Sequence, residues 1–259
     1  MKQTPGRPGR RPGRAPSLTR DAVADAALAE GVAVFSMPGV AARLGVSHST
    51  LYRYVDSRDD LVRAAIERAA ARTDWPPADL PWRELLTAFA DAVWAACDAS
   101  PGLAEVLLTT PYPPTPYPPS RSTITRGAAG VVRSTSASPA APRVMVDRLG
   151  GYGVALVRAG LSTRDAAVAV DFVGDLVLSS SVAMRGLDRT VPDAAGGSLT
   201  AREQYRRAWA EESAGSHPFE AEFAAEETWH GRGWFDDKLA VFLDGLATRF
   251  TVPAAGESS

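Results

Sequence analysis

The sequence predicts an all-α protein: a small N-terminal helix-turn-helix unit of three helices, followed by a larger helical body. Three observations carry this. Apolar residues recur at helical spacing through most of the chain, while no alternating run is long enough to signal a strand. Ala, Leu, Val and Arg dominate the periodic stretches and favour helix. Ser, Thr and Gly stand where helices begin and end. With 259 residues, 45% of them hydrophobic, the chain can bury a substantial core.

Taken in order, residues 1–16 (MKQTPGRPGRRPGRAP) are too rich in Pro, Gly and Arg to bury a core and predict a disordered basic arm. Thr19 is the N-cap of a first helix, with Asp21 in its first turn and Val23, Ala26 and Ala27 as its apolar face, and Gly31 breaks it. Ser36 caps a second helix carrying Val40, Ala41 and Leu44, which ends at Gly45, a residue free to take positive φ. Ser47 caps a third short helix through Tyr54. Ser57, with Asp60 three residues on, reads as a capping box for a fourth, Arg58 to about Arg72.

Trp75-Pro76-Pro77 closes this unit. Beyond it, helices are expected near 81–98 and 102–109. The run 111–119 (PYPPTPYPP) cannot be helical, and 120–142 is rich in small and polar residues. Helix returns over 143–159. Ser162 with Asp165 makes another capping box, opening a long helix to about Gly186. Residues 188–198 read as loop, with helices near 200–213 and 218–229. A last helix is expected from Trp234 to Phe250, with Phe235, Leu239, Phe242, Leu246 and Phe250 along one stripe.

The formal net charge of −2 hides an asymmetry. Residues 1–20 hold Lys2, Arg7, Arg10, Arg11, Arg14 and Arg20 and no acid, so the remainder carries −8. A basic arm on an acidic body points to an anionic partner met at the N-terminus. Cys97 is the only cysteine, which excludes an intrachain disulfide and a cysteine-based zinc site and favours a buried, inert thiol. No apolar leader follows Met1. The most apolar stretch, Ala166 to Met184, is interrupted by Asp171, Asp175 and three serines and is expected to fall short of a membrane span. A cytoplasmic protein without membrane contact is the expectation. No Gly-x-Ser-x-Gly elbow, P-loop or Rossmann fingerprint is present, so an enzyme is not expected, and no cofactor is.

The informative stretch is SMPGVAARLGVSHSTLYRYVDSRDD, Ser36 to Asp60. Val40, Leu44, Val46, Leu51 and Val55 supply a compact core. A helix of about two turns then leaves His48, Ser49, Thr50, Tyr52, Arg53 and Tyr54 largely outward, where short polar groups meet base edges and hydroxyls and cations meet phosphate. Tyr54 fits a core position equally well.

These residues closely resemble the DNA-binding domain of the TetR family. The matching pattern is Ala41, Leu44, Gly45, Val46, Ser47, Thr50, Leu51, Tyr52, Arg53, Tyr54 and Val55, with Arg58 as the basic residue opening the next helix. The resemblance implies base or backbone contacts at His48, Ser49 and Thr50, and phosphate contacts at Tyr52, Tyr54 and Arg58. Ser36, Ser47 and Arg53 complete the expected DNA-binding set. Relatives often carry an arginine where this chain has Pro38, so its operator should differ. In the body, VRAGLSTRDAAVAVDFVGDLVLSSS resembles the tetracycline-repressor-like branch. The domains expected on this basis are the arm 1–16, a DNA-binding domain 17–73, a ligand-sensing and dimerisation domain 74–252, and a disordered tail 253–259.

The resemblance further implies a homodimer on operator double-stranded DNA and a small-molecule effector, for which the Tyr and Trp content hints at a flat, ring-bearing compound. A repressor is the expected output, with an activator of the same fold or a helical dimeric adaptor without DNA binding as alternatives. Candidate pocket residues are Trp82, Phe89, Trp94, Leu103, Leu107, Tyr112, Tyr117, Tyr152, Phe172 and Asp175, each also compatible with ordinary core. Asp171, Asp175 and Ser179 recur every four residues and could face a ligand, a partner or solvent. A late-helix interface over about 163–186 and 233–250 would use Val168, Phe172, Leu176, Phe242, Leu243 and Leu246. Glu222, Glu226 and His230, with His217 nearby, have a metal-compatible spacing, but a solvated acidic face is the default and no metal is expected. The Gly-Arg-Pro steps of the arm fit either a minor-groove contact or a non-specific tail.

Overall fold

The structure is a computed structural model and describes residues 18–110, 144–193, 196–212, 218–225 and 227–250. The expected arm, the tail, Tyr112, Tyr117, His217 and Glu226 lie outside the described residues. Among those described, the chain forms eleven α-helices and one short hairpin. The N-terminal unit comprises α1 (Arg20–Glu30), α2 (Met37–Leu44), α3 (His48–Leu51) and α4 (Arg58–Arg72). The body comprises α5 (Trp82–Ala99), α6 (Leu103–Thr109), α7 (Val144–Arg158), α8 (Thr163–Leu187), α9 (Ala201–Glu212), α10 (Pro218–Ala224) and α11 (Phe235–Ala247).

The caps explain most helix starts. The hydroxyls of Thr19, Ser36, Ser47, Ser57 and Ser162 each accept a backbone N–H three residues on. Gly45 terminates α2 at φ +66, where a side chain would be strained.

Two hydrophobic cores result. The first packs Val23, Phe35, Val40, Leu51, Val55, Leu61 and Ile66, and it also takes in Leu103 and Val106 of α6. The N-terminal unit therefore shares its core with the body, across the boundary expected at residue 73. The junction is tight. Val32 N donates to Pro101 O at 2.9 Å, and a Cβ on Gly102 (φ +82) would lie 2.7 Å from Ala33 N. The second core joins α5, α7, α8 and α11 through Leu85, Leu86, Phe89, Leu156, Val173, Val177, Phe235 and Leu239.

Three expectations need correction. Residues 188–198 are not all loop: β1 (Thr190–Pro192) pairs antiparallel with β2 (Ser198–Thr200). Three-residue strands are too short to show an alternation, and Pro192 masks the first. The hairpin also brings Ala201 N onto Arg189 O at 2.8 Å. The helix expected over 218–229 stops at Ala224, and a 3₁₀ turn covers Glu227–Trp229. Here Thr228 Oγ1 donates to Glu222 O and Trp229 Nε1 to Phe223 O, so side chains take carbonyls that a continuing helix would use. Finally, α8 is by length and composition apolar enough to cross a membrane, despite its two aspartates and three serines. In this fold it packs against α5, α6, α7 and α11.

Tyr152, expected in the pocket, belongs to the second core. It is 1% exposed, and its hydroxyl donates to Pro76 O at 2.9 Å. Burial raises its pKa, the charge of Arg148 opposing only in part, so the phenol stays a donor at neutral pH. Tyr152→Phe leaves the Pro76 carbonyl without this partner. It should cost about 1–2 kcal/mol and lower the Tm by about 2–6 °C in thermal unfolding, with the helical circular dichroism unchanged.

Candidate nucleic-acid interface and effector cavity

α3 is one turn of helix whose only buried residue is Leu51. Its Ser47 cap hydroxyl accepts Thr50 N at 3.2 Å and lies 2.9 Å from Ser49 Oγ and 2.7 Å from Thr50 Oγ1. The hydroxyls thus form one cluster at the start of the helix. His48, Ser49, Tyr52 and Arg53 are exposed, and the His48 and Tyr52 rings meet edge-on at 5.2 Å. A turn follows through Tyr54, so α3 ends three residues earlier than its sequence pattern suggests.

One carboxylate fixes this short helix. Asp60 on α4 accepts both Arg20 guanidinium nitrogens at 2.7 and 2.9 Å, and Asp56 N at 3.0 Å. Arg63 adds a 3.5 Å ion pair, and Asp60 N itself donates to the Ser57 cap. Arg20 also donates to Tyr54 O at 2.7 Å. The start of α1 and the chain leaving α3 are therefore tied to the first turn of α4. Burial would raise the Asp60 pKa. The hydrogen bonds from Arg20 and Asp56 N, with the charges of Arg20 and Arg63, outweigh it and hold the carboxyl below its ordinary value.

The body holds a cavity of about 1110 Å³ between α5, α6, α7 and α8. Its walls are mostly apolar, with Asp171, Asp175, Arg158 and Thr163 as polar points. That is the make-up of a small-molecule site, at the upper end of the usual size. Gly150 and Gly153 on α7 and Gly174 on α8 line it, and a Cβ on any of them would meet nothing within 4 Å. Each mid-helix glycine costs about 0.5–1 kcal/mol relative to Ala. No close helix packing compensates, and what these glycines supply is space.

Residues 21–65 match the bacterial regulatory proteins of the tetR family. Over these residues the chain is similar to that family's DNA-binding region. A 112-residue stretch is 39% identical to the HTH-type transcriptional repressor DrrR1 of Streptomyces coeruleorubidus, covering 40% of this chain and 41% of DrrR1. The chain thus spans about two fifths of that relative's length. The Streptomyces coelicolor TetR family protein ActR in complex with actinorhodin superposes with a TM-score of 0.64 at 20% identity, covering 95% of this chain and 100% of ActR. BioQ with its double-stranded DNA operator gives 0.52 at 19%, covering 90% and 99%. At such identities the likeness of the body is one of fold.

Within this fold the sequence-predicted residues separate. Ser47, His48, Ser49, Thr50, Tyr52 and Arg53 gather on and around α3. Ser36 is exposed, but its hydroxyl caps α2 through Gly39 N. Tyr54 is half-buried against the first core, which favours the core reading of its ring. Arg58 donates to Ala33 O at 3.0 Å and lies over the Phe35 ring at 4.7 Å, so its guanidinium is held by its own chain. Arg20, counted with the arm by charge, is likewise engaged.

Of the pocket candidates, Phe89, Leu107 and Asp175 line the large cavity. Trp82 packs on Phe250, Trp94 on Phe235, and Leu103 lies in the first core. Phe172 is exposed on the outer face of α8 and stacks on Phe242 at 4.2 Å. Asp171 joins Asp175 in the cavity wall, whereas Ser179 bonds back to Asp175 O. The lining residues that the sequence did not reveal are chiefly Met145, Val170 and the three glycines. Glycines inside an otherwise good helix pattern were the available signal.

Val168, Phe172, Leu176 and Phe242 form part of an outer α8–α11 face, extended by Trp234, Lys238 and Val241, which is 73% exposed. Leu243 and Leu246 are not on it. They point into the second core, because their helix turns that stripe inward. Among the described residues no cluster of metal-ligating side chains occurs. Cys97 is buried, and its thiol pKa is pushed up to about 11, mainly by burial, so it is protonated at neutral pH.

Removing the Asp60 carboxylate tests the clamp. Asp60→Ala should destabilise the protein by about 1–3 kcal/mol. The native pKa is depressed, so this contribution is complete above the ordinary aspartate value of 3.8 and is lost as the pH falls below it. Melting curves of wild type and variant should therefore be well separated at neutral pH and converge in acid.

Proposed function

We propose that this TetR-family chain is a ligand-responsive, DNA-binding transcriptional regulator, a homodimeric repressor released from its operator by a small molecule. The observation that carries this is α3: a clamped, single-turn helix that buries Leu51 and turns His48, Ser49, Tyr52 and Arg53 outward. Such a helix fits the major groove, and two copies related by a twofold axis read half-sites roughly 34–36 Å apart. Tyr52 and the hydroxyl cluster suit phosphate, and Arg53 suits a base edge or phosphate. The exposed apolar α8–α11 face supports the dimer. The named repressor activity of DrrR1 and the operator-bound state of BioQ support the same reading. The protein acts without catalysis, in the cytoplasm.

The cavity supports effector control. Its wall includes Leu107 to Thr110 of α6 and its end, and the loop that opens α6 abuts the α1–α2 turn at Gly102. Arg185 of α8 donates to Cys97 O at 3.1 Å and pairs with Glu105 of α6 at 3.3 Å. A ligand that prefers one packing of α6, α7 and α8 shifts the N-terminal helices through these contacts, by no more than its difference in affinity for the two packings.

Selection from a random duplex pool should enrich a two-fold symmetric site. Arg53→Ala should weaken binding to it by about 1–3 kcal/mol if a base is read. Deleting residues 1–16 should flatten the dependence of log K on log salt by about one unit for each phosphate that the arm neutralises. Failure to enrich any sequence would remove the DNA-binding reading.

Gly153→Leu and Gly174→Leu place a side chain in the open cavity and raise helix propensity by about 0.8–1.0 kcal/mol. Both variants should keep DNA binding and melt no lower than wild type. Compounds that raise the wild-type Tm should cease to do so.

A further inference from the structure

We propose a second ligand site, for a flat aromatic carboxylate, in the smaller cavity where the C-terminal half of α8 meets α9, the 3₁₀ turn and the start of α11. The cavity measures about 460 Å³, within the range of small-molecule sites. It shares no lining residue with the larger one.

Its chemistry differs from that of the larger cavity, which carries two aspartates. Here three cations, Arg189, Arg232 and Lys238, line the space together with Tyr205, Trp229 and Trp234, and no carboxylate does. Arg232 is matched by Asp91 at 2.6 Å and Asp236 at 3.3 Å, but its Nε is buried without a hydrogen-bond partner. Arg189 and Lys238 are exposed on the wall, and no ion pair to either occurs among the described residues, so both can turn to an anion in the cavity. A carboxylate supplies that charge and accepts from several N–H donors at once.

The rings set the rest of the occupant. Tyr205 and Trp229 stack at 6.0 Å and 24°, and Trp229 and Trp234 lie 6.2 Å apart at 34°. The Trp229 indole is fixed by its bond to Phe223 O. Gly233, at φ +59, lets the chain pass Met184 of the same wall, since a Cβ there would lie 2.9 Å from Met184 Sδ. The stacked Tyr205–Trp229 pair, with Trp229 anchored, favours a planar ring in offset stacking. Cations beside those rings favour an anionic edge over a neutral one.

The test uses the full chain without DNA, so that its outcome is separate from that of the DNA-binding reading. The probe is 2-naphthoate, followed by calorimetry and quenching of tryptophan fluorescence. Saturable binding is expected. The neutral isostere 2-naphthamide should bind at least about tenfold more weakly. Arg189→Gln, which lies off the α8–α11 face, should weaken naphthoate by a similar factor; its side chain is exposed, and an unchanged circular dichroism spectrum establishes folding. Equal affinity for acid and amide overturns the proposal, as does absence of binding at millimolar probe. Loss of naphthoate binding in Gly174→Leu, with Arg189→Gln binding like wild type, overturns it as well by placing the anion in the larger cavity.

Discussion

The Asp60 carboxylate receives Arg20 from α1, the Asp56 amide behind α3 and Arg63 from its own helix, and the exposed surface of α3 depends on that convergence. A helix of four residues has almost no stability of its own, because nucleation consumes what one turn of hydrogen bonds returns. α3 exists because Ser47 caps its start, Leu51 anchors its one inward position, and the chain beyond it is drawn onto α4. What faces outward, His48, Ser49, Tyr52 and Arg53, then has no part in the folding of the unit.

The local rules were legible in the sequence wherever a single residue decides the structure. Thr19, Ser36, Ser47, Ser57 and Ser162 all cap as their positions suggest, and Gly45 ends α2 with positive φ. The identity of the α3 surface followed from the same reasoning, since its spacing leaves Leu51 alone inward. Readings failed where distant residues decide. Leu243 and Leu246 share a stripe with Phe242, and only the packing of α11 on α8 shows that the leucines turn inward. Tyr152 looks like a pocket aromatic until Pro76, far off in sequence, takes its hydroxyl. Arg58 looks free until Ala33 and Phe35 are seen beneath it.

The large cavity was harder still, because what makes it is missing side chains. Aromatic content directed attention to Trp82, Trp94 and Tyr152, which build walls for the core rather than for the cavity. Gly150, Gly153 and Gly174 form the space by omission. The first core closes over α6 residues as well, so the N-terminal unit and the cavity are connected through well-packed atoms, which transmit displacement poorly in small amounts and well in discrete steps.

The hairpin between α8 and α9 has a consequence for divergence. With β1 paired to β2 and Ala201 N on Arg189 O, the chain returns to α8 almost where it left, like a stem closing a loop. Changes in the length of the 193–197 turn are absorbed beyond that stem, and α9 starts from the same point beside the end of α8. The start of α9 and the 3₁₀ turn wall the smaller cavity, through Ala201, Tyr205 and Trp229. The α9 side of that cavity is thereby held in register with α8 whatever the sequence of the turn.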